Sequence, residues 1–209
     1  MTILVTGGLG YIGSHTVVEL LNNNFEVVII DDLSNTEKFI LKNIEEITGK
    51  KPIFYPFDLK RKEPLKQVFD AHKIEGCIHF AAYKAVGESQ EKPIDYYENN
   101  LFSLINLLQE MKERNISNFI FSSSCTVYGQ ADTMPIDENT PLKLPESSYG
   151  KTKQMGEEIL KDFATAHQKK VTLLRYFNPI GAHPSAKLGE LPIGIPNNLV
   201  PYVMQTAAG

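Results

Sequence analysis

Tyr149 and Lys153 have the residue types and the spacing needed to move a proton. They stand four positions apart, so on a helix the phenol and the ammonium group lie on one face, one turn apart. A tyrosine has a pKa of about 10 and is a poor base at neutral pH. Because a nearby positive charge favours phenolate, we expect Lys153 to lower the pKa of Tyr149. The pair can then take a proton from a sugar or alcohol hydroxyl, provided that a hydride acceptor is bound beside it.

A glycine-rich segment near the N-terminus predicts the site of that acceptor. Gly7, Gly10 and Gly13 follow an apolar run over residues 2–6, typical of a buried strand, and lead into a helical pattern over residues 14–21. In such a motif the first glycine permits a tight turn, the second lets the backbone approach a pyrophosphate, and the third lets the helix pack on the strand. The N–H groups at the helix start face the phosphates. This combination indicates a dinucleotide-binding unit.

An acidic residue at the end of the second predicted strand indicates which dinucleotide. Residues 26–30 form a β-branched run and Asp31 follows it, roughly 20 residues beyond the glycine loop. A carboxylate there accepts hydrogen bonds from the adenosine ribose and repels a 2′-phosphate. Asp31 therefore favours NAD over NADP, and Asp32 adds to the negative charge.

The composition argues against several other classes of function. The chain has 209 residues, of which 42% are hydrophobic and 22% charged, with a formal net charge of -4. These values are typical of a soluble globular protein with one sizeable core. There is no basic tract and no apolar run of membrane-spanning length, so we expect no nucleic-acid or membrane partner and a cytoplasmic location. Cys77 and Cys125 lack metal spacing and the five histidines are dispersed, so we expect no metal centre.

The rest of the chain alternates between strand and helix patterns. Further strands are predicted near residues 52–57, 76–80, 118–123 and 171–175, and helices near 62–73, 93–114, 148–168 and 198–208. This alternation predicts an α/β fold of Rossmann type, a doubly wound parallel sheet with helices on both faces. Beyond residue 177, prolines and glycines interrupt any regular pattern. We therefore predict an NAD-binding domain over residues 1–177 and the beginning of a smaller substrate-binding lobe over residues 178–209.

Small and polar residues follow the middle strands of the predicted sheet. Asp58 and Leu59 follow the third strand, residues 78–82 end the fourth with Lys84 just beyond, and Ser122–Ser124 end the fifth. The carboxyl ends of strands face the ligand in an open α/β sheet, so these residues are candidates for cofactor and substrate contacts. Read alone, the lysine is also explained as a solvated loop residue and the serines as a plain loop.

Taken together, the glycine motif, a strand-end serine and the Tyr149-x-x-x-Lys153 pair resemble the extended short-chain dehydrogenase/reductase family. Within it the chain is similar, over residues 1–209, to the UDP-glucose 4-epimerase family. Four stretches are the most specific: Val5–His15, Ser122–Gly129, Leu174–Pro184 and Gly194–Tyr202. The glycine and Tyr-Lys motifs identify only the superfamily, whereas the last two stretches point to the epimerases.

The resemblance implies a role for each matched position. It implies that Tyr149 is the base, that Lys153 modulates it and binds the nicotinamide ribose, and that Ser124 assists at the sugar hydroxyl. It implies a cofactor site formed by Gly7, Gly10, Tyr11, Ile12, Gly13, Asp31, Asp32, Leu33, Ser34, Asn35, Thr36, Asp58, Leu59, Phe80, Ala81, Ala82, Lys84, Asn99, Ser124, Tyr149, Lys153 and Phe177. It also implies a sugar-nucleotide pocket begun by Asn178, Asn198 and Leu199, beside Ser124 and Tyr149. The chain departs from the family pattern at Cys125, where relatives often have Ala, and at Asp32, where they often have Asn.

The activity implied is that of an isomerase in galactose metabolism, the interconversion of UDP-glucose and UDP-galactose. Tyr149 takes the proton of the 4-hydroxyl while the C4 hydride passes to NAD, and the 4-keto sugar turns over before the hydride returns to its other face. Bringing the pKa of Tyr149 from about 10 to about 7 requires roughly 4 kcal/mol. We expect Lys153 and the positive nicotinamide ring to share this stabilisation.

Two alternatives share parts of the pattern. A nucleotide-sugar 4,6-dehydratase has the same fold and Tyr-Lys pair, but it commonly carries Asp-Glu where this chain has Cys125 and Thr126, with no carboxylate. A non-catalytic NAD-sensing protein of the same fold tends to lose the tyrosine that this chain keeps.

Members of the resembled family continue well past the position of Gly209 and dimerise through helices matching residues 93–114 and 148–168. We therefore expect a homodimer, and a truncated chain that keeps much of the NAD site but lacks efficient epimerisation.

Overall fold

The computed structural model describes residues 1–194, 196 and 198–208. In chain order the elements are β1 (Thr2–Thr6), α1 (Tyr11–Asn22), β2 (Glu26–Ile30), α2 (Phe39–Thr48), β3 (Ile53–Tyr55), α3 (Lys62–Ala71), β4 (Ile74–His79), α4 (Val86–Glu91), α5 (Pro93–Glu113), β5 (Asn118–Ser122), a 3₁₀ turn (Cys125–Tyr128), α6 (Ser148–His167), β6 (Lys170–Leu174) and α7 (Leu199–Ala208). Ile195 and Asn197 of the fourth quoted stretch, and Gly209 at the end of the predicted lobe, lie outside the described residues.

The six strands form one sheet in the order β3-β2-β1-β4-β5-β6, and every neighbouring pair is parallel. Thr6 at the end of β1 lies opposite Ile30 of β2 and His79 of β4, so three carboxyl ends meet at one edge. The strand order reverses between β1 and β4, and an open α/β sheet binds its ligand outside the carboxyl ends at such a reversal. The predicted doubly wound fold is confirmed.

Alternate side chains of the central strands supply two apolar cores, one on each face of the sheet. Leu4, Val28 and Ile30 face one core, and Ile3, Val5 and Ile29 face the other. The first core is completed from α3, α5 and α6 by residues that include Leu65, Val68, Leu104, Leu107, Met111 and Leu160. The second is completed from α1 and α2 by Val17, Val18, Leu21, Ile40 and Ile44. Helices packed on both faces fix the sheet edge that carries the site.

The structure adds two helices that the sequence does not predict, α2 and α4. In α2, Ile40 and Ile44 are one turn apart and buried, but Lys38 at the helix start provides no side-chain cap that would mark it. The second, α4, has only six residues. The predicted start of α1 at Ser14 is three residues late because Gly13 is already helical, and β3 is shorter than predicted, covering Ile53–Tyr55.

Among the helices that the structure describes, none combines the length and the apolar character needed to cross a membrane.

Candidate active site

The glycine loop is a close backbone crossing between β1 and α1. Gly7 has a φ of 66°, and a Cβ there would lie 2.6 Å from the backbone nitrogen of Ala81. A Cβ on Gly13 would lie 2.1 Å from the carbonyl oxygen of Gly7. The helix α1 begins after Gly10, which provides no side-chain cap to its first N–H groups. These groups are therefore open to an anionic ligand at the edge of the sheet.

Asp31, directly after β2, holds the loops on either side of it. Its carboxylate accepts the backbone N–H of Leu9 at 3.1 Å and that of Leu33 at 3.0 Å. Burial raises the pKa of this carboxyl, while the two backbone hydrogen bonds oppose the shift. Each carboxylate oxygen has a further lone pair, so the group can fix the glycine loop and still accept a ribose hydroxyl.

The loops after β3 and β4 are fastened by asparagines of α5. Asn106 donates to the carbonyl oxygens of Leu59 and Lys60 at 3.0 and 3.2 Å. Asn100 accepts the N–H of Tyr83 at 2.8 Å and donates to its carbonyl oxygen at 3.1 Å. Because Asp58 and Lys84 adjoin these backbone contacts, α5 fixes the position of both predicted cofactor residues.

The helix α6 presents Tyr149 and Lys153 to the same edge. It begins after Ser147, whose side-chain oxygen accepts the N–H of Gly150 at 3.1 Å, so Tyr149 lies in the first turn. The Lys153 ammonium lies 5.8 Å from the centre of the Tyr149 ring and 4.9 Å from that of Phe121, and it donates to the carbonyl oxygen of Ser122 at 2.7 Å. The predicted one-turn spacing of phenol and ammonium is therefore present.

The electrostatics of this pair differ from the expectation that Lys153 lowers the pKa of Tyr149. Burial raises the pKa of Tyr149, and hydrogen bonding with Ser124 offsets only part of the shift. Lys153 is 4% exposed, and burial lowers its pKa to about 7. Spacing alone suggested a permanent ammonium, whereas desolvation favours the neutral form of both groups. A further positive charge at the site is needed to make Tyr149 a base.

We expect Lys153→Met to stabilise the dinucleotide-stripped chain near pH 7 and to lose this advantage at higher pH. Because burial lowers the pKa of Lys153 from 10.5 to about 7, the unfolded chain holds one more proton between those values. The free energy of unfolding of the wild type then rises by up to about 1.4 kcal/mol per pH unit across this interval. Below pH 7 both states are protonated and the full cost of burying the charge remains.

Urea unfolding of both proteins at several pH values above 7 measures this difference. If wild-type stability rises with pH no more steeply than that of Lys153→Met, the buried ammonium does not carry the predicted cost.

Ser124 and Thr126 follow β5, and both line the same cavity as the Tyr-Lys pair. Ser124 is buried, and its hydroxyl accepts the N–H of Thr126 at 3.2 Å. The hydroxyl of Thr126 is the one buried side-chain oxygen or nitrogen that has no hydrogen-bond partner within the described part of the chain. A buried hydroxyl without a partner is costly, so this one favours a ligand that supplies the missing bond. The sequence analysis gave Thr126 no such role.

These residues surround one cleft of about 360 Å³ at the reversal point of the sheet. Its wall contains nearly all the predicted site residues: Gly7, Gly10, Tyr11, Ile12, Gly13, Asp31, Asp32, Ser34, Asn35, Thr36, Asp58, Leu59, Phe80, Ala81, Ala82, Lys84, Asn99, Ser124, Tyr149, Lys153, Phe177, Asn178 and Asn198. Leu33 and Leu199 are not in the wall. Leu33 packs against the core beside α1 and α2, and Leu199 is 77% exposed at the start of α7. The roles of all these residues stay predictions.

The cleft also contains an acidic residue that the sequence analysis missed. The Glu190 carboxylate lies 3.3 Å from the Lys84 ammonium and accepts a hydrogen bond from the amide of Asn198. It therefore links a predicted cofactor residue to a predicted substrate residue. Glu190 stands in an irregular segment rich in proline and glycine, where no periodic pattern marks a buried side chain.

The donor and acceptor groups of the cleft fit a dinucleotide. The glycine loop leaves room for a close approach, the uncapped end of α1 suits a pyrophosphate, and Asp31 suits a ribose. No cluster of His, Cys, Asp and Glu that could hold a metal ion occurs among the residues described.

Comparison with known proteins agrees with this geometry. The model of the NAD dependent epimerase/dehydratase family matches residues 3–203. UDP-glucose 4-epimerase of Bacillus subtilis is 53% identical over 210 aligned residues, an alignment that covers 100% of this chain and 62% of the relative. The crystal structure of UDP-glucose 4-epimerase from Bifidobacterium longum in complex with NAD+ and UDP has a TM-score of 0.98 at 47% identity and is covered to 63%.

A second solved structure, UDP-glucose-4-epimerase from Stenotrophomonas maltophila with bound NAD and formylated UDP-arabinopyranose, has a TM-score of 0.95 at 44% identity, with coverage of 100% of this chain and 62% of that one. The chain thus spans somewhat less than two thirds of the length of these relatives. The resemblance drawn from the four sequence stretches is confirmed, and the chain belongs to the NAD dependent epimerase/dehydratase family.

Proposed function

We propose that the protein interconverts UDP-glucose and UDP-galactose by oxidation and re-reduction at C4, with NAD as a bound cofactor. The observation that carries this proposal is that the Tyr149–Lys153 pair, Ser124 and the glycine loop open on one cleft. The relatives named above bear the name of this enzyme, and two of their structures were obtained with NAD and a uridine nucleotide or nucleotide sugar. We also retain the predicted division into an NAD-binding domain over residues 1–177 and a substrate lobe that begins at residue 178.

The chain's own residues would hold the cofactor and move the proton. The N-terminal turn of α1 would bind the pyrophosphate, and Asp31 the adenosine ribose. When bound, NAD would supply the hydride acceptor and a positive charge beside Tyr149. Tyr149 would take the proton of the 4-hydroxyl, and Ser124 would hydrogen-bond the same oxygen. Lys153, held by the carbonyl oxygen of Ser122, would stabilise the phenolate whenever it is protonated.

The test is conversion of UDP-galactose to UDP-glucose, with intact mass and bound NAD measured on the same preparation. The chain spans 62% of its Bacillus subtilis relative. We expect the chain to bind NAD, and we expect it to convert UDP-galactose when it is joined to the part of that relative that the alignment leaves uncovered. A joined protein that binds NAD but converts neither sugar nucleotide would exclude the proposal. A 4-keto-6-deoxy product would indicate the dehydratase instead.

We further propose that the protein is a cytoplasmic homodimer. Apolar side chains of α5 and α6 are exposed on one side of the molecule, including Ile94, Phe102, Ile105 and Met155. The resemblance to the epimerase family predicts that the two copies contact each other through these same helices, α5 and α6. Both cysteines are free, as is usual in a reducing compartment.

We expect Phe102→Glu to convert the dimer to a monomer. Phe102 is 55% exposed on α5. Burying an unpaired carboxylate in a contact between two copies is unfavourable by several kcal/mol. Because about 1.4 kcal/mol corresponds to a tenfold loss of affinity, we expect the dimer to weaken by several orders of magnitude. Light scattering behind size exclusion measures the mass. Phe39→Glu is the matched control, because Phe39 is 46% exposed on α2, on the other face of the sheet. A monomeric wild type, or a dimeric Phe102→Glu, would exclude this surface as the interface.

A further inference from the structure

An ion pair between a buried carboxylate and a partly buried guanidinium lies one helical turn beyond Lys153. Glu157 of α6 is 0% exposed, and both of its carboxylate oxygens are bound by Arg175, which follows β6. The Arg175 Nε lies 2.9 Å from Glu157 Oε1 and the Nη2 lies 2.7 Å from Oε2. This two-point geometry fixes the guanidinium relative to the helix in both distance and orientation.

The same carboxylate holds the loop that carries Ser124. The Ser123 hydroxyl donates to Glu157 Oε1 at 2.5 Å. The preceding carbonyl oxygen, that of Ser122, accepts from Lys153. The helix that carries Tyr149 thus forms hydrogen bonds with the two residues immediately before Ser124: Lys153 bonds Ser122, and Glu157 bonds Ser123.

Arg175 also contacts the chain on the C-terminal side of Ser124. Its Nη1 donates to the Tyr128 hydroxyl at 3.0 Å, and the guanidinium carbon lies 5.0 Å from the centre of the Tyr128 ring. The residue after Arg175, Tyr176, accepts the N–H of Cys125 at 2.8 Å through its carbonyl oxygen. The two residues that precede Ser124 are therefore bonded to α6. Cys125 and Tyr128, which follow Ser124, are bonded to the two residues that follow β6.

Stability alone does not explain this arrangement. An apolar pair of similar volume often stabilises a core as well as a buried ion pair, because the desolvation of two charges offsets their attraction. An ion pair, unlike an apolar contact, forms hydrogen bonds of defined direction. Here Glu157 accepts such a bond from Ser123, and Arg175 donates one to Tyr128. Tyr149 and Ser124 lie on different elements, and this network makes polar contacts with the chain on both sides of Ser124.

We propose that Glu157 and Arg175 are positioning residues that hold the Ser124 hydroxyl toward Tyr149 in the reaction proposed above. They touch neither cofactor nor substrate in this role; they act through Ser123 and Tyr128. The proposal rests on the proposed function for its effect on turnover. The hydrogen bonding by which Ser124 lowers the pKa of Tyr149 needs no turnover and can be measured separately.

The test is a double-mutant cycle read by titration of Tyr149. Glu157→Gln keeps the shape of the side chain and removes its charge, and Ser123→Ala removes one hydrogen bond alone. The absorbance of tyrosinate against pH, after subtraction of the same titration on Tyr149→Phe, gives the pKa of Tyr149. Among the described residues, the groups that face Tyr149 with a charge or a titratable proton are Lys153, Cys125 and Tyr96, and these variants change none of them.

Ser124→Ala, Glu157→Gln and Ser123→Ala should each raise the pKa of Tyr149, because each removes the Ser124 hydroxyl from the phenol or releases it. In the Ser124→Ala background, Glu157→Gln and Ser123→Ala should produce no further shift. Glu110→Gln is the matched control, since Glu110 is also buried beside an arginine, Arg114, but on α5 within an ion pair that contains no cleft residue. It should leave the pKa of Tyr149 unchanged.

Turnover of UDP-galactose supplies the second readout. A misplacement of about 1 Å can cost roughly 10²-fold in rate, so we expect kcat to fall by about that factor in Glu157→Gln, with KM and bound NAD little changed. If the shift of the pKa persists in the Ser124→Ala background, or if neither single variant shifts it, the positioning role is excluded. If Glu157→Gln does not fold, the titration of Ser123→Ala, alone and in the Ser124→Ala background, still tests the positioning role. If the wild type binds NAD but never turns over UDP-galactose, the proposed function fails while the titration remains decisive.

Discussion

Tyr149→Phe is expected to reduce the turnover of UDP-galactose by roughly 10³-fold, within the range that removal of a general base produces, and to leave bound NAD unchanged. The substitution deletes one oxygen and keeps the ring that packs near Lys153. The cofactor contacts we assign to the glycine loop and Asp31 lie on other elements. The loss should therefore appear in kcat and not in cofactor content.

The pH dependence of the turnover rate provides a second test of Tyr149 as the base. The base must be a phenolate, so wild-type turnover should rise with pH up to the pKa that Tyr149 has when NAD is bound. Burial raises the pKa of Tyr149 in the free protein, and the positive charge of NAD opposes that shift. In Tyr149→Phe the residual rate should lose this rise. Turnover equal to wild type in Tyr149→Phe would exclude Tyr149 as the base. A similar loss of rate accompanied by loss of NAD would show that the Tyr149 hydroxyl holds the cofactor, so the loss of rate could not be assigned to a missing base.

The parts of the fold that the sequence predicts are those determined by short-range patterns. Runs such as Val27 to Ile30 identify buried strands, and the spacing of Gly7, Gly10 and Gly13 identifies the crossing from strand to helix. Tyr149 and Lys153 are close because a helix makes them so. For these features the local pattern is sufficient, and the structure agrees with it.

What the sequence does not predict depends on residues that are distant in the chain. Glu157 and Arg175 are 18 positions apart and lie on different elements, so no periodicity links them. Glu190 reaches Lys84 from 106 positions away. The shifted pKa of Lys153 has the same origin. The spacing from Tyr149 fixes a distance, but the burial that lowers the pKa of Lys153 depends on packing against residues distant in the chain, such as Phe121 of β5. Desolvation and long-range pairing are properties of the fold, not of the motif.

Gly13→Ala is expected to weaken NAD binding by roughly 10²-fold, because two lost hydrogen bonds to charged phosphate oxygens are together worth about 3 kcal/mol. Gly13 has ordinary helical geometry, so helix propensity alone would favour Ala by about 1 kcal/mol. Steric contact reverses this preference. The new Cβ would lie 2.1 Å from the carbonyl oxygen of Gly7 and 2.9 Å from the Cα of Gly8, both backbone atoms that cannot rotate away. The first turn of α1 must then move off the strand.

Isothermal titration of the stripped chain with NAD, together with urea unfolding, measures both consequences of Gly13→Ala. Gly87→Ala is the matched control: it is the same substitution within a helix, α4, but a Cβ there meets nothing within 4 Å. That variant should bind NAD as the wild type does and unfold at an equal or higher urea concentration. Overpacking of Gly13 should cost about 1–3 kcal/mol of stability. A Gly13→Ala chain that binds NAD normally and gains stability like the control would show that helix propensity prevails and that the close crossing of β1 and α1 is not what forms the cofactor site.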